Sequence, residues 1–365
     1  MEAADLRLPK SMILIAFGTR PEAIKLGPVA AELAADKVPF GLLATGQHRE
    51  LLVGTPAETD LAAASSLGLP SEGNVVRWLA RARARVRVWL REHEEFDPVV
   101  VQGDTMSALA VARAACDAGR AVAHIEAGVR SHDRANPWPE EQTRVEITEL
   151  ARWHYAATPT AWANLAQEGV PSSLIVLTGN PIVSALARYT AARPCGPQPH
   201  ILVTLHRREW LLGDCVAEVV SALADAARAE PRVEFIWPVH PAVHARVNGA
   251  FASLPPNLIP TGPLEYGKCA RVLASALGVL TDSGGLQEEA ATLGVPCAVL
   301  RTVTDRPESV QAGVARCFAP DANGVKAAVA ALTGGKLKRQ ALDVYGTPES
   351  AARIARHLAQ VASVS

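Results

Sequence analysis

The sequence is short of the features that announce several common classes of protein. Its six cysteines, Cys116, Cys195, Cys215, Cys269, Cys297 and Cys317, lie far apart among 365 residues and form no CxxC pair. In a chain of this length that spacing speaks against a disulfide frame or a zinc site and leaves scattered core thiols. Neither sign of charge is in excess, since 36 Lys and Arg face 37 Asp and Glu for a net charge of −1. Such a balance gives no global pull toward nucleic acid or an anionic membrane. No apolar run reaches the roughly 18 residues of a membrane span, and the opening MEAADLRLPK is too polar for a signal peptide. A cytoplasmic protein without membrane or nucleic-acid partners is the expectation.

What is present is a repeated alternation. Short apolar runs, SMILIAF (11–17), FGLLATG (40–46), DPVVVQG (97–103), AVAHIEAG (121–128) and SLIVLTGN (173–180), are each followed by a helical stretch. The pattern resumes with HILVTLH (200–206), VEFIWPVH (233–240), ALGVLTDSG (276–284) and PCAVLR (296–301). Continuous Val, Ile and Leu strands separated by helices predict parallel sheets covered on both faces. The PCGPQP stretch (194–199) interrupts the alternation. The prediction is therefore α/β, with two doubly wound domains at 1–185 and 195–345 and a final helix over 346–365 packing back on the first domain. RARARVRVWLR (81–91) alternates like a strand, but Leu79, Val86, Trp89 and Leu90 share one helical face and Arg77, Arg81 and Arg85 another. It reads as a crossover helix with a solvated arginine face.

Ligands of open α/β sheets bind beyond the carboxyl ends of the strands, and the chemistry-bearing residues fall there. In FGTRPE (17–22), Thr19 and Glu22 have capping-box spacing. Arg20 sits at the helix N-terminus, a natural anion site, and Lys25 one turn on is placed to reach the same anion. In TDSGGLQEE (281–289), Ser283, Gly284 and Gly285 join a strand to a helix in the manner of a diphosphate cradle that is neither GxGxxG nor a Walker loop. Glu289, one turn further, is placed to accept from ribose hydroxyls. Asp104, Glu126 and His206 each follow a strand, and Glu140 lies on the loop of HIEAGVRSHDRANPWPEE (124–141). Clustered titratable groups of this kind tune one another for acid/base work. His240, after another strand, is a candidate phosphate partner.

FGTRPEAIKLGPV, TGQHRE, VQGDT, HIEAGVRS, PWPEEQTR, LTGNP, HRRE, PVHP and TDSGGLQEE, in this order, resemble the non-hydrolysing UDP-N-acetylglucosamine 2-epimerase family. TVTDRPES (302–309) resembles a late element of the same family. The resemblance implies two Rossmann-like domains of the glycosyltransferase B type, with the active site in the interdomain cleft and a hinge near 181–199. It implies interconversion of UDP-GlcNAc and UDP-ManNAc without a cofactor, by elimination of UDP to 2-acetamidoglucal and re-addition, in a homodimer. It assigns acid/base roles to Asp104, Glu126, Glu140 and His206. It assigns substrate binding to Arg20, Lys25, His240, Ser283, Gly284, Gly285 and Arg306, with Tyr266 against the uracil and Glu289 on the ribose. Arg130 and Arg144 are then expected to hold the glutamate-bearing loop.

The sequence departs from the family pattern at Leu205, where glycine is usual, at Trp210, where asparagine is usual, and at Thr143, in place of asparagine. Residues 51–76 depart as well, so the resemblance does not carry over a second, regulatory UDP-GlcNAc site. Three rival activities share this fold or ligand class. They are a hydrolysing epimerase that releases UDP and ManNAc, a sugar transferase, and a catalytically silent nucleotide-sugar binder.

Overall fold

A computed structural model of the chain describes residues 11–46, 61, 63–70, 73–134, 137–190, 198–205, 215–239, 241–244, 251 and 254–364. The chain divides into two compact units, Met1–Ala185 with Val344–Ser365, and Leu186–Asp343.

The first unit holds strands β1 (Met12–Phe17), β2 (Phe40–Ala44), β3 (Ser65–Ser66), β4 (Phe96–Gln102), β5 (Val122–Ala127), β6 (Trp153–Ala156) and β7 (Ile175–Leu177). They form one parallel sheet in the order β3-β2-β1-β4-β5-β6-β7. Between and after them run α1 (Arg20–Ala35), α2 (Val75–Glu92), α3 (Met106–Asp117), α4 (Glu140–Leu150), α5 (Pro159–Gln167) and α6 (Pro181–Thr190). Wholly buried side chains on β1 and β4, such as Ile13, Leu14, Ile15, Val99, Val100 and Val101, explain the continuous apolar runs, because helices cover both faces.

The second unit repeats the plan with β8 (His200–Thr204), α7 (Cys215–Ala229), β9 (Glu234–Pro238), α8 (Pro241–His244), β10 (Leu258–Thr261), α9 (Tyr266–Ser275) and β11 (Gly278–Thr281). It continues with α10 (Gly284–Leu293), β12 (Cys297–Leu300), α11 (Pro307–Gln311), β13 (Ala315–Phe318) and α12 (Ala322–Thr333). Its parallel sheet runs β10-β9-β8-β11-β12-β13. Each sheet reverses its order once, between β1 and β4 and between β8 and β11. Those reversals are where an open α/β sheet leaves a crevice for ligand.

The last helix, α13 (Ser350–Val364), packs against α1. The Tyr155 hydroxyl meets His357 Nδ1 at 3.0 Å, and Ser11 Oγ donates to the Ala362 carbonyl at 3.0 Å. The returning chain crosses LTGNP closely, with Asn180 N donating to Tyr345 O at 2.7 Å. A Cβ on Gly179 would stand 2.3 Å from Ser350 Oγ and 2.8 Å from Gly346 Cα, so glycine is required there.

The arginine-rich segment is helical, as its wheel predicts. Val86 and Leu90 are buried, and Arg77, Arg81 and Arg85 face water. Four strands are absent from the sequence reading, namely β3, β6, β10 and β13. They are two to four residues long, and Ser-Ser, WHYA, LIPT and ARCF have no run of Val, Ile or Leu to mark them.

Candidate active site

In the first unit the site begins where β1 gives way to α1. A Cβ on Gly18 would lie 2.0 Å from Ser107 Oγ and 2.3 Å from Thr45 Oγ1, so only glycine passes there. Thr19 caps α1 and accepts from Glu22 N at 3.5 Å. Glu22 accepts in return from Gly18 N at 3.0 Å and from Thr105 Oγ1 at 2.8 Å. Burial raises the Glu22 carboxyl against the opposing effect of those hydrogen bonds. Thr105 in turn caps α3 through Ala108 N at 3.0 Å. Glu22 thus ties the turn after β1 to the turn after β4, which carries Asp104. The capping box also occupies two of the amides that the sequence reading offered to an anion. Arg20, the first residue of α1, remains as a cation at that terminus.

Lys25 is 7 % exposed, and its ammonium is paired with Glu126 Oε2, a contact absent from the sequence reading. Gln102 Nε2 donates to the same oxygen at 2.6 Å. Glu126 occupies a left-handed backbone position, φ 66°. The β5–β6 register jumps there, with Ile125 opposite Tyr155 and Ala127 opposite Ala156. Glu126 is therefore the extra residue of a β-bulge, a device that re-aims a side chain at the end of a strand.

Asp104 receives Arg144 Nε at 2.8 Å and Nη2 at 2.6 Å on one oxygen. Arg144 Nη1 also donates to Glu141 Oε2 at 3.1 Å. Glu141 accepts from the amides of Ser131 at 3.0 Å and His132 at 3.1 Å. Of the two adjacent glutamates, Glu141 therefore clamps the loop. Glu140 opens α4, with its Oε2 shielded from water and Trp138, two residues earlier, 57 % exposed. Arg130 grips Glu168 through two bonds of 2.7 Å and Thr148 at 2.9 Å. Both arginines thus hold the segment, Arg130 by tying it to Glu168 and Thr148 and Arg144 by linking it to Asp104.

In the second unit the crevice at the β8/β11 reversal is closed by Thr204 Oγ1 and Thr281 Oγ1, 2.6 Å apart. Ser283 N donates to Thr281 Oγ1 at 3.0 Å, and Ser283 caps α10 without a side-chain hydrogen bond. Gly284 and Gly285 follow. Neither has a positive φ, so the fold does not need glycine for its conformation. A Cβ on Gly285 would meet nothing within 4 Å, and one on Gly284 nothing nearer than 3.7 Å. The two glycines open a helix N-terminus with no side chain of their own over its first amides, which suits an anion.

Arg306 sits beneath that terminus, buried, with Nε on Glu288 Oε1 at 2.5 Å and Nη1 on Asp305 Oδ2 at 3.2 Å. Its Nη2 lies beside the start of α10, 3.8 Å from where a Cβ on Gly284 would stand. Tyr266 opens α9, is 93 % buried and stands edge-on to Tyr189 with ring centroids 5.4 Å apart. Burial, then the neighbouring Glu289 carboxylate, pushes its hydroxyl well above the ordinary tyrosine value. Tyr266 and Glu289 are thus brought together. His206 and His240 lie outside the described residues, as does Trp210. Leu205 is 2 % exposed and belongs to the core of the second unit. Among the described residues no cluster of His, Cys, Asp and Glu suits a metal.

Gln102 and the pairing of Lys25 with Glu126 escape a reading by sequence. Lys25 and Glu126 are 101 positions apart, and the only local hint is a polar residue closing the apolar run Val99–Val101.

The chain matches the family model described as UDP-N-acetylglucosamine 2-epimerase over residues 31–359. It is 35 % identical to the UDP-N-acetylglucosamine 2-epimerase of Escherichia coli K12, across 94 % of this chain and 96 % of that one. A probable UDP-N-acetylglucosamine 2-epimerase of Ralstonia solanacearum is also 35 % identical, across 94 % and 97 %. Among solved structures, the Neisseria meningitidis UDP-GlcNAc 2-epimerase bound to UDP-GlcNAc superposes with a TM-score of 0.87 at 28 % identity, covering 96 % of this chain and all of that one. The Methanocaldococcus jannaschii enzyme in complex with UDP-GlcNAc and UDP gives 0.86 at 29 % identity, covering 96 % and 99 %.

Proposed function

The chain belongs to the UDP-N-acetylglucosamine 2-epimerase family, and from that premise we propose that it interconverts UDP-GlcNAc and UDP-ManNAc by elimination and re-addition of UDP. It is an epimerase acting on a nucleotide sugar. The observation that carries the reading is the Glu126 carboxylate, set on a left-handed bulge and gripped by Lys25 and Gln102. A surface cap needs no such arrangement.

The chemistry follows from the bonds that change. Loosening of the anomeric C–O bond moves negative charge onto the diphosphate. The bare amides of Gly284 and Gly285, the Ser283 hydroxyl, Arg20 and His240 stabilise that charge as it develops. The hydrogen on carbon 2 becomes acidic as the anomeric carbon grows electron-poor. A base among Asp104, Glu126, Glu140 and His206 takes it, leaving 2-acetamidoglucal and UDP. A proton returned to the opposite face, followed by attack of UDP on the anomeric carbon, gives the epimer. No net oxidation occurs, so the reaction needs no redox cofactor. Lys25 serves by holding Glu126, and Arg306 by bracing the helix that meets the diphosphate. Glu289, with Tyr266 beside it, takes the ribose and uracil end. In this reading the first unit carries the catalytic carboxylates and the second binds UDP.

A homodimer in the cytoplasm, supplying a polysaccharide precursor, completes the proposal. An exposed stripe on α2 supports the dimer. Val76 is 78 % exposed and Val88 51 %, with exposed Ala80 and Ala84 at four-residue steps between them. Val76, Ala80 and Ala84 of this stripe, with Leu79, Arg83 and Arg87, line a depression of about 350 Å³.

The test is product analysis after incubation with UDP-GlcNAc alone. A UDP-ManNAc peak that reaches the same ratio from either epimer is expected. Free ManNAc with UDP identifies a hydrolysing enzyme, turnover that appears only with a sugar acceptor identifies a transferase, and binding without turnover identifies a silent binder.

A further inference from the structure

We propose that Gln102 is a positioning residue for Glu126, fixing with Lys25 the plane in which that carboxylate meets the substrate. The inference rests on the epimerase reading, in which Glu126 acts at the sugar. Gln102 is the last residue of β4 and is 3 % exposed, behind the fully buried Val99, Val100 and Val101. A primary amide is costly in that setting unless its hydrogen bonds are made. Its Nε2 donates to Glu126 Oε2 at 2.6 Å, and Lys25 Nζ donates to the same oxygen. Two donors converging on one oxygen suit a carboxylate, and they leave no place for a proton on that atom.

The two donors are not equivalent. Lys25 reaches in from α1 on a flexible stem and ends in a point charge with three rotatable hydrogens, so it attracts the carboxylate without setting its plane. Gln102 is planar and rooted in the strand paired beside β5, where it stands opposite Ile125. Glu126 needs that second anchor because its own backbone is irregular. On the left-handed bulge, the alternation that normally fixes a strand side chain is broken. Anchors from two different elements define a direction that neither gives alone, which is how a site is held near its productive geometry.

The test compares the parent with Gln102→Met and Gln102→Glu in turnover of UDP-GlcNAc, with the thermal midpoint of each protein measured alongside. Gln102→Met keeps the volume and removes the donor. Its kcat is expected to fall about ten- to a hundred-fold, with KM within about two-fold of the parent. Gln102→Glu sets carboxylate against carboxylate at high pH. As pH falls the pair shares a proton, and an O–H takes the place of the lost N–H. The rate of this variant relative to the parent is therefore expected to rise from pH 8.5 toward pH 6. Lys25 from α1 and His124 on β5 also act electrostatically on Glu126. Both are common to parent and variant, so a ratio that changes with pH reports the carboxylate introduced at position 102. A Gln102→Met protein with parental kcat, or a Gln102→Glu ratio that does not change with pH, overturns the proposal. If Gln102→Met does not fold, the pH ratio of Gln102→Glu decides. A parent that fails to turn over UDP-GlcNAc refutes the epimerase reading instead.

Discussion

Acid should destabilise the first unit through two histidines that the chemistry does not use. His124 on β5 and His154 on β6 are register partners, 1 % and 2 % exposed. His124 Nε2 lies 2.8 Å from the Gly103 carbonyl and so carries the proton of the neutral ring. Burial lowers His124 to about 3 and His154 to about 4, from an ordinary 6.5. The unfolded chain takes up protons below pH 6.5, and the folded chain does so only near 4 and 3. Stability is therefore lost as pH falls from 6.5, and the loss levels off below the folded values. At pH 5 each ring has contributed about 2 kcal/mol to that loss, and the pair about 4 kcal/mol. This is a large part of the 5–15 kcal/mol that holds a typical domain. The assay is urea unfolding at pH 7.5 and 5.0, followed by hydrogen exchange in peptides from β5 and β6, on the parent and on His124→Gln and His154→Gln. Each variant should lose about 2 kcal/mol less than the parent between the two pH values, whatever its stability at pH 7.5. Parent and variants with the same pH dependence, within about 0.5 kcal/mol, would show that these rings are not held neutral by burial.

Gly285→Ala separates folding from binding. Its new methyl meets open space, so the thermal midpoint should hold or rise, by about 0.5–1 kcal/mol of helix propensity, while UDP affinity measured by calorimetry falls. Unchanged affinity would remove the α10 terminus from the diphosphate site. Gly18→Ala forces a methyl against Ser107 and Thr45 and should cost about 1–3 kcal/mol together with activity, read from urea midpoints and initial rates. Arg144→Ala strips Asp104 and the buried Glu141 of their shared cation and should cost about 3 kcal/mol or more. Arg144→Lys should not rescue it, because an ammonium cannot bridge both carboxylates; full recovery of stability and kcat in the lysine variant would contradict the bridging role.

Local rules made parts of this molecule legible. The Thr19–Glu22 capping box, the strand-ending positions of Asp104 and Glu126, and the arginine face of α2 each depend on neighbours a few residues away. What the sequence did not disclose is carried by tertiary contact or by the absence of a pattern. Lys25, five positions after Arg20, reads as a second cation for one anion, and nothing local reveals its pairing with Glu126. Glu140 and Glu141 are indistinguishable on paper, and the amides of Ser131 and His132 decide which of them clamps the loop. Arg306 reads as a phosphate ligand only through its family element, and its contacts with Glu288 and Asp305 are tertiary details that no local rule reveals. The strand WHYA is buried on every residue, but its apolar content is too mixed to read as a run.

The most direct measurement of the central claim is proton NMR of the protein with UDP-GlcNAc in deuterated water, with no cofactor added. The account predicts UDP-ManNAc, with deuterium appearing at carbon 2 of both epimers, because every passage through the glucal replaces that hydrogen from solvent. UDP-GlcNAc that binds but keeps its carbon-2 proton and yields no epimer would contradict it.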